Sequence, residues 1–141
     1  MPTTQSEDPD EAVHHPRHYN QHPSNIECIE LIEHLPANFA NAVKYIWRCG
    51  LKATSTPLRD LESAKWYTER EIQRVDLFEI YDESYNRLRP PKTDVVWRVL
   101  AKKVISVDVN STLGRYLDAL LIEDYDSMIE VLDIAIAEPK K

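Results

Sequence analysis

Asn41, Lys44, Tyr45 and Arg48 recur at three- and four-residue intervals within the segment 41–52. At 100° per residue they fall on one stripe of a helix, which Lys52 would extend. Phe39, Val43, Ile46 and Trp47 fall on the opposite side, where a core would lie. Lys44 and Arg48 repel one another at i,i+4, and no carboxylate on the same helix offsets them. The chain carries a formal net charge of −7, yet no Asp or Glu occurs between residues 35 and 58. Cations gathered in this way within an acidic chain suit an anion, with Arg48 offering a forked contact and Lys44 a point charge. The alternatives are a solvated helix face, or pairing with acids of a neighbouring helix. On the anion reading, removing Arg48 weakens binding and leaves stability little changed.

Two other clusters invite a chemical reading. His15, Arg17, His18 and Tyr19 lie in a stretch that contains Pro16 and Pro23, which implies an extended strap rather than a helix. His15, His18 and Tyr19 are therefore candidates to close over a phosphate or stack on a base; packing through Tyr19 is the competing role. The four histidines between residues 14 and 22 match no standard zinc spacing, so no metal is assigned to them. Glu27, Glu30 and Glu33 repeat every three residues. They suit a solvated face, neutralisation of Lys44 and Arg48, or a divalent cation held as in all-helical nucleoside triphosphate pyrophosphohydrolases. No later helix is assigned a partner acidic stripe to complete such a site, so no cofactor is expected and binding should need no metal. With Gly50 and Gly114 the only glycines, no phosphate-cradling loop can be built, and side chains must supply what backbone amides supply in P-loop proteins.

The elements that would position these residues are helical. Ser24 and Glu27 form a capping box for a first helix over 24–35, with Cys28, Leu31, Ile32 and Leu35 inward and Pro36 ending it. The cationic helix spans 38–49, with Gly50 suited to its C-terminal turn. Thr56 caps a third helix over 57–78 with Pro57 at its first position. Leu61, Ala64, Thr68, Ile72 and Val75 form its buried stripe, and Asp60, Tyr67 and Glu71 share one flank. Trp66 and Tyr67 read as core rather than as a base-stacking platform. Residues 81–94, with Pro90-Pro91, read as a linker. Beyond it, a helix over 95–105 turns Val96, Val99, Leu100 and Val104 inward. Ser111 caps another, with Leu113, Tyr116, Leu117, Leu120 and Leu121 inward. Asp126 or Ser127 caps a last one through Ile129, Leu132 and Ile136. Residues 104–109 are the only strand candidate.

The fold class is therefore all-α: a flexible tail (1–13), a three-helix core with an extended N-terminal strap (14–80), a linker (81–94) and a smaller helical packing or oligomerisation module (95–141). At 141 residues the chain can bury a core without staples. Cys28 and Cys49 sit in apolar patterns and read as buried reduced thiols. No apolar run approaches the ~18 residues of a membrane span and no signal pattern opens the chain, so no membrane partner is expected and the location reads as cytoplasmic. A pI near 5.2 argues against binding duplex nucleic acid.

Four blocks in order give a resemblance to a family: His15-Pro16-Arg17-His18-Tyr19, then Glu27-Cys28-Ile29-Glu30-Leu31-Ile32-Glu33, then Asn41 through Lys52, then Asp60-Leu61-Glu62-Ser63-Ala64-Lys65-Trp66-Tyr67. Over about half its length the chain resembles small phage-encoded proteins that include an atypical deoxynucleoside monophosphate kinase without a Walker motif. The resemblance implies a phosphorylated nucleotide as partner, nucleoside-monophosphate kinase-like activity and, for a phage protein, the host cytoplasm. Ala40, Arg59 and Ser63 depart from the usual pattern, the last two beside Asp60, the best candidate for a catalytic carboxylate. The ligand-binding set is His15, His18, Tyr19, Asn41, Lys44, Tyr45, Arg48 and Lys52. Two other functions fit parts of the pattern: a non-catalytic sponge for a cyclic nucleotide immune signal, and a metal-dependent pyrophosphohydrolase using the Glu27/Glu30/Glu33 stripe. A homo-oligomer is expected, because three amphipathic helices alone make a shallow pocket.

Overall fold

The computed structural model describes residues 22–49, 56–81 and 94–138, with side chains in the long third helix described as far as Leu77. Among the described residues there are six α-helices and no strand, so the all-α class holds. They are α1 (Cys28–Ile32), α2 (Ala37–Trp47), α3 (Pro57–Tyr81), α4 (Val95–Val107), α5 (Thr112–Leu121) and α6 (Tyr125–Ala137). The strand candidate at 104–109 is instead the last turn of α4 and the turn that follows it.

Apart from α2, which begins after Pro36 without a side-chain cap, helix starts follow side-chain caps. The first begins three residues later than the Ser24 box implies, because Asn25 takes a left-handed conformation (φ 63°) that no α-helix can include. Glu27 and Glu30 form the capping box instead, Glu30 Oε1 accepting from the Glu27 N–H at 3.0 Å. Ser24 Oγ accepts from the Ile26 N–H in the preceding turn. Thr56 caps α3 as expected, its Oγ1 accepting from the Arg59 N–H at 3.1 Å. Asp94, Ser111 and Asp124 cap α4, α5 and α6 by accepting from the N–H three residues on. The last cap thus falls two residues before Asp126, and Ser127 is its partner rather than the cap itself.

The inward faces of α2, α3 and α5 are those the periodicity implies, with Ile72 only partly buried. In α4 the phase differs: Trp97, Ala101 and Val104 are buried, whereas Val96 and Val99 are more than half exposed. Burying the indole sets the rotation of this helix, because Trp97 carries the largest apolar area in it. In α6, Met128, Leu132 and Ala135 face in, while Ile129 and Ile136 are only partly buried.

A single hydrophobic cluster runs from Ile26 through Phe39, Trp47, Leu61, Trp97 and Leu117 to Ala135, drawing on all six helices. The α2–α3 pair is its most extensive contact, and α6 packs along α3. Thr68 Oγ1 donates to the Ala64 carbonyl at 2.8 Å, so the buried Tyr116 hydroxyl is the donor in its 2.7 Å bond to Thr68. Burial raises the Tyr116 hydroxyl pKa above its ordinary value; the Thr68 hydrogen bond works against the rise, and Glu71 adds a smaller contribution to it.

Candidate functional site at the seam of the second and third helices

The polar stripe of α2 meets the polar flank of α3. The two helices run antiparallel, so residues pair in reverse order along the seam: Arg48 with Asp60, Tyr45 with Tyr67, and Asn38 with Glu71. The result is two charged groupings separated by a pair of stacked rings.

At one end Arg48 is buried, and its Nη2 lies 3.5 Å from Oδ1 of Asp60, which has no exposed surface. The Arg48 guanidinium sits 4.5 Å from the centre of the Tyr45 ring, and the Lys44 ammonium lies 5.2 Å from the same ring. Two cations thus lie over one aromatic ring. Lys44 is partly buried, and among the described residues no carboxylate lies within ion-pair distance of it. Its charge is felt instead by Cys28: burial pushes that thiol up to about 12, and Lys44 works against the shift.

In the middle, Tyr45 stacks on Tyr67 with ring centres 5.9 Å apart and planes at 17°, and Trp66 meets Tyr67 edge-on at 5.0 Å. The expectation that both aromatics of α3 are core holds for Tyr67, which packs against the cluster, and fails for Trp66, which is 59% exposed. Trp66 lies on the solvent side of a helix whose inward stripe is already filled. At the far end Glu71 is fully buried and held by both forks of Arg74 at 2.7 Å and by the Asn38 amide at 3.1 Å. Such a carboxylate is tolerable in a core because its oxygens are met by donors.

Of the residues singled out from sequence, the structure brings Lys44, Tyr45, Arg48 and Asp60 together, with Asn41 on the same face of α2 and partly buried. His15, His18, Tyr19, Lys52 and the helix-ending Gly50 lie outside the described residues. Glu27 and Glu30 are engaged in capping α1, and among the described residues no group of three or more His, Cys, Asp or Glu side chains is arranged to hold a metal. His22 belongs to a different cluster. Its Nδ1 accepts from the Ser24 N–H and hydroxyl, which leaves Nε2–H to donate to Asp108 at 3.2 Å, while the ring lies 5.0 Å from Trp47. Cys28 and Cys49 are free thiols, Cys49 only partly buried, its Sγ donating to the Pro57 carbonyl.

Asn38 and Arg74 were not legible as parts of the seam. Asn38 continues the stripe at three residues before Asn41, and Arg74 continues the Tyr67/Glu71 flank, so helical spacing held a signal for both.

No described helix is long and apolar enough to cross a membrane. No curated protein and no solved structure matches the chain. A family model described as a protein of unknown function (DUF3310) matches residues 13–69, the stretch that contains His15, His18 and Tyr19, all of α1 and α2 and the half of α3 that carries Asp60, Trp66 and Tyr67.

Proposed function

We propose that the protein binds a phosphorylated nucleotide at the α2–α3 seam, with Lys44 and Arg48 meeting the phosphate charge and the Tyr45–Tyr67 pair lying beside it. The observation that carries this reading is Lys44: a partly buried side chain whose ammonium lies 5.2 Å from the centre of the Tyr45 ring, with no carboxylate of the described residues paired to it. A cation beside a second cation and without a carboxylate partner suits an anion supplied from outside. Asp60, buried against Arg48, acts as a positioning residue: it fixes the guanidinium and does not itself face substrate. The resemblance to small phage-encoded proteins extends the reading to nucleoside-monophosphate kinase-like turnover, with the strap residues His15, His18 and Tyr19 and the cation Lys52 completing the site, and a neighbouring subunit deepening it.

The test is incubation with a panel of nucleoside monophosphates, nucleoside triphosphates and cyclic oligonucleotides, followed by chromatography of bound and free material. Phosphoryl transfer to a monophosphate supports the kinase-like activity. Recovery of an intact cyclic nucleotide on denaturation assigns a sponge. Retention of none of the panel removes the nucleotide reading. Turnover abolished by chelator and restored by magnesium, with pyrophosphate released, would instead assign the metal-dependent pyrophosphohydrolase.

A further inference from the structure

Trp66 is the only one of the three tryptophans that faces solvent: Trp47 and Trp97 are 6% and 1% exposed, against 59% for Trp66. A large apolar ring left in water costs solvation free energy that burial would recover. It also borders a recess of about 160 Å³ lined by Trp66, Glu69, Arg70 and Gln73. That volume is below the range of pockets that enclose a whole drug-sized ligand, so it suits one flat part of a larger molecule. Through Tyr67 and Tyr45 the indole is connected, ring to ring, with the Arg48 guanidinium.

We infer that this recess is a nucleobase site selective for guanine, with the base stacked on Trp66 and its edge read by Glu69, Arg70 and Gln73. The inference rests on the seam being the phosphate site and adds the direction in which the nucleotide lies: phosphate towards Lys44, base towards Trp66. Base–aromatic stacking needs only a free π-face. The polar set supplies the choice of base. A carboxylate such as Glu69 accepts from two adjacent donors, and guanine presents N1–H and the N2 amino group side by side. Arg70 offers a fork to O6 and N7 of the same base, the pairing by which arginine reads guanine elsewhere. Adenine lacks the N1–H and offers an acceptor there, which a carboxylate repels. Neither Glu69 nor Arg70 is engaged in an ion pair among the described residues, so neither must break one to turn to a ligand.

The test uses GMP, AMP and ribose 5-phosphate with the full chain. GMP should quench the fluorescence of the one exposed tryptophan and bind more tightly than AMP and ribose 5-phosphate. Trp66→Ala should remove that quenching and weaken GMP by roughly fivefold to a hundredfold, the range for loss of one base–aromatic stack, while ribose 5-phosphate binds as before. Trp66→Phe should restore most of the affinity, and Glu69→Gln should erase the preference for GMP over AMP. If GMP binds equally to wild type and Trp66→Ala but is lost in Lys44→Gln, the base site is overturned and the phosphate site stands. If none of the three ligands binds wild type, both fall. A change of oligomeric state on sedimentation of Trp66→Ala, with GMP affinity unchanged, would overturn the base site in favour of an assembly surface.

Discussion

Arg48 and Lys44 carry the same charge four residues apart and meet different fates. Arg48 is buried against a fully buried Asp60, whereas Lys44 keeps part of its surface and shares only the Tyr45 ring. The expectation that removing Arg48 leaves stability intact therefore does not survive the structure. Arg48→Ala strips Asp60 of the guanidinium in a setting that water barely reaches, and should destabilise the fold by about 3 kcal/mol or more. The double variant Arg48→Leu, Asp60→Leu should recover most of that loss, since a buried pair exchanged for apolar side chains is often near neutral. Urea unfolding of wild type, Arg48→Leu, Asp60→Leu and the double variant measures the coupling, and additive losses would show the pair to be incidental. Cys28 provides a second check at this scale. With its thiol pushed up to about 12, mainly by burial, the thiolate is scarce at neutral pH, and the native protein should resist a thiol reagent at Cys28 while Cys49 reacts. Equal rates at the two positions would mean that the α1–α2 contact opens readily.

At the scale of elements, the residues that belong on one face were legible in the sequence, but which face meets which was not. The Asn41/Lys44/Tyr45/Arg48 stripe and the Asp60/Tyr67/Glu71 flank are both consequences of the 3.6-residue period. That they pair with each other depends on antiparallel packing of α2 on α3, and periodicity is silent about neighbours. Where the pattern misled, the reasons are local. Val96 and Val99 are as apolar as any core residue, yet α4 turns to bury Trp97. The first helix starts late because Asn25, not Ser24, decides where the helical backbone can begin. The turn into α5 is fixed by close approach. A Cβ added at Gly114 would stand 2.1 Å from the Asp108 carbonyl oxygen and 3.3 Å from Ser111 Oγ, the atom that caps the helix. Gly114→Ala must shift backbone rather than a flexible side-chain tip, and should cost at least about 2 kcal/mol, comparable to the worst overpacked cores. A thermal melt unchanged by this substitution would show that the α4–α5 turn yields easily.

For the molecule as a whole, one core joins the stretch that carries the seam to the three helices that follow it. Trp97, Tyr116, Leu117, Met128 and Leu132 are all but inaccessible to water and belong to the same cluster as Phe39 and Val43. Lys65 and Asp133 add a 2.7 Å ion pair between α3 and α6, at a surface position where its contribution is small. A chain of residues 1–93 would leave that apolar surface uncovered, and should show no cooperative thermal transition by circular dichroism. A cooperative melt with nucleotide affinity retained would make α4–α6 dispensable. The site itself depends on a charge within this scaffold, and Lys44 can be altered without leaving a buried carboxylate behind. The most direct measurement is therefore the nucleotide affinity of wild type and Lys44→Gln across a series of salt concentrations. Wild-type affinity should fall as salt rises, because a partly exposed cation is screened. Lys44→Gln should bind about tenfold or more weakly at low salt, with a shallower salt dependence and unchanged helical content. Equal affinities and equal salt slopes for the two proteins would contradict a phosphate site at the seam.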